Sequence, residues 1–273
     1  MQTQSSVRRR GNERPLEREN QGTIAILTMN RPGTSNTLSE AMLAALSDEL
    51  AAIGQDQSVR VLVLAANGAA FCGGHDLKEL TARRSDEDGG RAYFQHILSA
   101  CSTMMQQIVA LPQPVIASVE GIATAAGCQL VASCDLAIAS ANARFGVSGI
   151  NAGLFCSTPM VALSRNVGRK HAMQMLLTGD LISAEDAHRI GLVNQVVPAG
   201  EALDAARALA ATIAGKSQHA VKLGKEAFYR QLGMPLGEAY GYTSEVMVEN
   251  LFAADAKEGI EAFIAKRRPN WRS

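Results

Sequence analysis

The sequence is poor in aromatic residues, at 4% of the chain. Its core must therefore be built from Ala, Leu, Val, Ile and Met, within an apolar share of 47%. Nor does it carry an excess of charge, since 26 basic residues stand against 26 acidic ones. That balance provides no global pull toward nucleic acid or an anionic membrane. No apolar run reaches the ~20 residues that a membrane-spanning helix needs. The cysteines at 72, 101, 128, 134 and 156 form no Cys-x-x-Cys pair, their number is odd, and nothing resembles a secretory signal. Free thiols in a reducing compartment follow, and a soluble cytoplasmic protein is expected. No His-x₃-His spacing occurs, so no metal site is expected. Dinucleotide, P-loop and nucleophile-elbow fingerprints are absent too, since no Gly-x-Gly-x-x-Gly opens the first helix and neither Gly-x₄-Gly-Lys-[Ser/Thr] nor Gly-x-Ser-x-Gly is found.

What is present is an alternation. Residues 1–20 are polar, of mixed charge and without period, which predicts a disordered arm. Glu13, Glu17 and Glu19 count against reading it as a transit peptide, a class that avoids acids. From Thr23 to Met29 the pattern is that of a strand, closed by the turn Asn30-Arg31-Pro32-Gly33. Ser39 then caps a helix whose Met42, Leu43, Leu46, Leu50 and Ile53 share one face. Further strands are predicted at 59–66, 115–119, 135–139 and 193–197, with helices at about 93–110 and from Ala126. Beyond Gly200 only amphipathic helices appear, near 200–214, 217–231, 236–253 and 256–267. The expectation is an α/β core over residues 21–200 followed by a helical region over 201–273.

Two corners rich in small residues lie between a strand and a helix. One is Cys72-Gly73-Gly74-His75-Asp76-Leu77. The other is Ala123-Thr124-Ala125-Ala126-Gly127. Corners without bulky side chains expose backbone N–H groups, and a helix start adds its dipole. Two together make either an oxyanion hole for a substrate carbonyl or simply a place of close packing.

The chain resembles the enoyl-CoA hydratase/isomerase family, the crotonase fold. The resemblance rests on Asn30-Arg31-Pro32, Asn36-Thr37-Leu38, Phe71-Cys72-Gly73-Gly74-His75-Asp76-Leu77, Pro114-Val115-Ile116-Ala117, Ala126-Gly127-Cys128, Cys134-Asp135-Leu136, Phe145-Gly146, Leu177-Thr178-Gly179-Asp180, Ser183-Ala184-Glu185-Asp186-Ala187, Gly191-Leu192-Val193 and Lys266-Arg267, in family order over residues 22–271. It implies a spiral of ββα units, a C-terminal helical trimerisation region, and a homotrimer or homohexamer. It also implies that the N–H groups of His75 and Ala126 hold the thioester oxygen of an acyl-CoA. Arg31, Asn36, Leu38, Gly127 and the segment Gly74, Asp76, Leu77, Lys78 would contact the substrate. Coenzyme A enters as part of the substrate, with no prosthetic group, and fatty-acid or related acyl-CoA metabolism is the setting implied.

One departure matters. Family hydratases share the handling of water and of the α-proton between two glutamates. This chain has Gln129 at the first position and Gly149 at the second, so both carboxylates are missing. Each such group is worth about 10²–10⁴-fold in rate, and hydration by that route is disfavoured. Cys156, just before a helix start, is a candidate thiolate or a buried core residue. The His75 ring is either a base near the pocket or turned away, the latter preferred. Glu120 is read as a solvated turn, Asp135 as a local cap or pair, and Ser157 and Thr158 as helix caps. Three functions remain: an enzyme acting through a thioester enolate, which is preferred, a catalytically inert CoA-thioester binder, and an RNA-binding protein using Arg8-Arg9-Arg10. The last is disfavoured by the zero net charge.

Overall fold

The computed structural model describes residues 14–272, so the predicted N-terminal arm lies outside it up to residue 13. From Leu16 onward the arm expectation is overturned. Strand β1 (Leu16–Gln21) pairs antiparallel with β2 (Ile24–Met29), and Leu16 is buried at its start. The charges of Glu17, Arg18 and Glu19 gave the segment its polar look, but this is an edge strand whose residues are mostly exposed. Arg18 bonds Asp56 at 2.8 Å, tying the strand to the end of the first helix.

After β2 comes helix α1 (Glu40–Gln55), where the Ser39 hydroxyl accepts from the Met42 N–H and the five expected apolar residues are buried. The core then repeats a unit of long strand, short strand and helix. The first is β3 (Val61–Ala66), β4 (Ala70–Cys72) and the helices α2 (Leu77–Ala82) and α3 (Arg91–Ala110). Next come β5 (Val115–Val119), β6 (Ile122–Thr124) and α4 (Ala126–Ser133), and then β7 (Leu136–Ser140), β8 (Arg144–Gly146) and α5 (Pro159–Asn166). After α6 (Arg169–Thr178) follow β9 (Ile182–Ser183), α7 (Ala184–Arg189) and β10 (Gln195–Val197). The long strands form one sheet in the order β1-β2-β3-β5-β7-β10, and the short ones a second, β4-β6-β8-β9. This is the ββα spiral of the crotonase fold.

Side-chain alternation in β3 shows how the sheet is covered on both faces. Leu62 and Leu64 join the main core, whereas Val61 and Val63 join a second cluster with Ala202, Ala206 and Ala210 of α8 (Ala202–Ala214). Helix α8 therefore packs on the sheet, although the sequence reading grouped it with the C-terminal region. Glu120 fixes its start, accepting from the N–H groups of Gly200 at 3.0 Å and Ala202 at 2.8 Å. The solvated-turn reading of Glu120 is thus corrected, because a carboxylate at a helix N-terminus satisfies donors the helix cannot.

Asp135 is likewise not a local cap. Its carboxylate accepts from Val115 N–H at 2.6 Å, Lys225 Nζ at 2.7 Å and Tyr229 hydroxyl at 2.8 Å, the last two from α9 (Gln218–Gln231). Lys225 also donates to the carbonyls of Ile108 and Gln113 at 3.1 and 3.0 Å. This nearly buried cluster joins α9 to the ends of α3, β5 and β7. By contrast α10 (Leu236–Phe252) has no buried residue, and with α11 (Ala254–Ile264) it leaves Leu236, Tyr240, Met247, Phe252, Phe263 and Ile264 exposed.

Candidate active site

The two small-residue corners meet. Gly74 has φ +87°, a conformation that costs glycine nothing. A Cβ built there would lie 3.0 Å from Ala125 Cβ and 3.3 Å from Ala126 N, so only glycine lets the corners approach this closely. Ala125 is itself held at φ +52°, ψ −121°, an uncommon setting for a residue with a side chain. Its N–H donates to Gly146 carbonyl at 2.9 Å, and Leu38 N–H donates to Gly74 carbonyl at 2.7 Å. Around these bonds the N–H groups of His75 and Ala126 have no partner among the described residues. Ala126 is the first residue of α4, so its N–H also carries the positive end of the helix dipole.

Gln129 stands one turn along the same helix, and a helical side chain leans back toward the N-terminus. It is 5% exposed, and its Oε1 is buried without a hydrogen-bond partner. A buried acceptor without a partner calls for an explanation, and the helix that carries it also presents the unpartnered Ala126 N–H at its start. Gly127, in contrast, faces packing rather than ligand. A Cβ there would fall 2.1 Å from the Cys72 carbonyl oxygen, so its smallness lets α4 sit against β4. The expectation that Gly127 contacts substrate therefore rests on its backbone alone.

Two expected contacts, those of Asn36 and Leu38, are corrected because both residues are fully buried. Asn36 is wholly buried, accepting from Arg31 N–H at 2.7 Å and donating to the carbonyls of Asn67 at 2.9 Å and Ala70 at 2.8 Å. Both its donors are used, which makes it a clamp for the loop. Leu38 is also wholly buried, and it forms a bridge beside His75. Asp76 caps α2, accepting from the N–H of Lys78 at 2.9 Å and of Glu79 at 3.3 Å and from the Thr37 hydroxyl at 3.2 Å. Arg31, Leu77 and Lys78 are exposed nearby, free to line an open surface.

The second glutamate position differs in kind from the first. A Cβ on Gly149 would lie 2.7 Å from Cys156 Sγ and 2.7 Å from Leu154 carbonyl oxygen. The chain has closed over the space a carboxylate would need. Cys156 is 8% exposed, and burial pushes its thiol up, opposed to a lesser extent by the Gly149 backbone. Of the two readings of Cys156, thiolate and buried core residue, the structure favours the second: the sulfur fills space. Ser157 and Thr158 do not bond the first N–H groups of α5 through their side chains. Sequence reasoning missed the contact of residues 149, 154 and 156, for which only the glycine itself was a signal.

The enoyl-CoA hydratase/isomerase family model matches residues 19–273. Human enoyl-CoA hydratase domain-containing protein 3, mitochondrial, is 45% identical over 264 residues, covering 97% of this chain and 86% of its own. Its crystal structure superposes with a TM-score of 0.90 at 46% identity, covering 94% of this chain and all of that one. An enoyl-CoA hydratase structure from Mycobacterium smegmatis gives a TM-score of 0.91 at 50% identity, over 96% of this chain and 100% of that one. The rat, Xenopus laevis and human relatives are named as mitochondrial, which overturns the cytoplasmic expectation. Reduced thiols and balanced charge suit either compartment, so composition had no power to separate them. From the matching model, the relatives and the superposed structures, this chain belongs to the enoyl-CoA hydratase/isomerase family.

Proposed function

We propose that the protein binds an acyl-CoA thioester and stabilises its enolate between the N–H groups of His75 and Ala126. The observation that carries this reading is the meeting of the two corners at Gly74 and Ala126, with both N–H groups unused. An enolate concentrates negative charge on the former carbonyl oxygen. Two fixed donors in a dry corner hold it more strongly than water does, and removing one such donor costs about 2.7–4 kcal/mol of transition-state stabilisation. Arg31, Leu77 and Lys78 lie on the open side, where the nucleotide end of coenzyme A would emerge.

Hydration through two carboxylates is not the reaction. Gln129 can orient a water or a substrate hydroxyl through its amide, but it does not take a proton at neutral pH. Gly149 has no side chain and no room for one. The chemistry open to this chain is enolate formation followed by reprotonation or another step at the α-carbon. The exposed apolar residues of α10 and α11 support assembly into a trimer or hexamer, since patches of that kind mark contacts between copies.

A panel of saturated, unsaturated and malonyl-type CoA thioesters tests the reading by thermal shift and by turnover. Stabilisation by thioesters but not by free acids is expected, with crotonyl-CoA hydrated poorly. A shift with no turnover of any thioester reduces the protein to a CoA-thioester binder. No shift with any of them removes the reading.

A further inference from the structure

Ala125 is the residue on which the second corner turns. It is held at φ +52°, ψ −121°, between β6 and α4. These are close to the angles of the first central residue of a type II′ turn, about +60° and −120°, a place that glycine normally takes. Ser35 also has a positive φ, but its ψ of 33° keeps it in the small left-handed region open to residues with a side chain. Ala125 lies well outside that region. Its methyl makes the conformation strained, whereas glycine would adopt it freely.

The strain sits at a defined joint. The Ala126 N–H belongs to the planar peptide unit that Ala125 begins, so ψ of Ala125 sets the direction in which that N–H points. The other donor, the His75 N–H, belongs to the peptide unit that Gly74 begins. These two leading residues face each other, since a Cβ on Gly74 would lie 3.0 Å from the Ala125 Cβ. The His75 ring nitrogens are shut off from solvent, so His75 enters the corner through its backbone. Ala125 is bonded on both sides, its N–H donating to Gly146 carbonyl at 2.9 Å and its carbonyl accepting from Gln129 N–H at 3.1 Å. Between two such bonds a glycine could still rock about its own φ and ψ. A methyl confines the residue to a narrow well.

We propose that the Ala125 methyl is a positioning group, which aims the Ala126 N–H and spaces it from the His75 N–H, and strains the backbone in doing so. This rests on the proposed thioester site and adds how its two donors are kept aimed. Donors fixed in advance need no rearrangement when charge develops on the oxygen they hold.

Ala125→Gly tests it, read by urea denaturation and by the infrared carbonyl band of bound butyryl-CoA carrying ¹³C at the thioester carbon. Relief of strain is expected to move the urea midpoint upward. The bound carbonyl band, lowered in frequency in the wild type, is expected to move back toward its position in free solution and to broaden. Ala125→Ser keeps a Cβ and is expected to hold the band at least as low as the wild type does. A glycine variant with the wild-type band overturns the proposal and leaves the thioester site standing. So does a glycine variant with a lower midpoint, since the methyl would then support the fold, and so does a serine variant whose band recedes as far as glycine's. Wild-type protein that binds butyryl-CoA with its band unmoved, or that does not bind it, overturns the site and the proposal together.

Discussion

The sulfur of Cys156 occupies the space into which a side chain at Gly149 would have to grow, with Sγ 2.7 Å from the position of a Cβ there. Leu154 carbonyl oxygen closes the other side at the same 2.7 Å. Loss of the second carboxylate is thus built into the backbone path of residues 148–156, and it is not a single exchange of side chains.

Restoring both glutamates should accordingly fail. Gln129→Glu alone leaves no second carboxylate. The pair Gln129→Glu with Gly149→Glu is expected to hydrate crotonyl-CoA no better, and to lose about 1–3 kcal/mol of stability to overpacking. Urea denaturation and hydratase assays read the two effects. Efficient hydration by the double variant would mean that the loop yields.

The Lys225–Asp135 pair should be costly to break from one side. Lys225→Met leaves the Asp135 carboxylate nearly buried with its cation gone, for which about 3–5 kcal/mol is expected. Lys225→Met combined with Asp135→Asn should cost less than the single change, because no bare charge remains. Equal losses in denaturant would show that the charge pairing contributes little.

The C-terminal segment offers an acid-sensitive signal. Trp271, the sole tryptophan of the chain, donates to Gly215 carbonyl at 2.9 Å. Glu258 accepts from Arg267 at 2.6 and 2.9 Å and from Asn270 N–H at 2.7 Å, and these bonds hold its carboxyl down to about 2. A group depressed in the folded state stabilises docking above its free value of 4.5, and that support is lost as pH falls toward about 2. Tryptophan fluorescence should change within this window. In Glu258→Gln the change should be present at neutral pH, with no acid step.

The cysteines should be inert. Cys72, Cys101 and Cys128 are pushed up to about 12, and Cys134 and Cys156 are raised too, in every case chiefly by burial. Only a thiolate reacts readily. A thiol reagent at pH 8 should label none of the five quickly in native protein and all of them after unfolding. Rapid labelling of Cys156 would put its sulfur back in contact with solvent.

The sequence made some of this legible and hid the rest for physical reasons. Long strands and capped helices carry enough residues to display a period, so 115–119 and the start of α1 were readable. The second sheet was invisible, because β4, β6, β8 and β9 have two or three residues each and no period to show. β1 was masked by its charges, and α8 looked like its helical neighbours until its alanines met the sheet. At the site, small residues announced close approach without saying what approaches. Gly74 faces the second corner, Gly127 faces Cys72, and Gly149 faces Cys156, three outcomes from one residue type.

The most direct measurement of the thioester site follows the substrate carbonyl itself. Butyryl-CoA labelled with ¹³C at the thioester carbon should show a lower C=O stretching frequency and a downfield ¹³C shift on binding, since donors at His75 and Ala126 polarise the bond. A thioester that binds with its carbonyl frequency and shift unchanged would contradict the pairing of those two N–H groups as its holder.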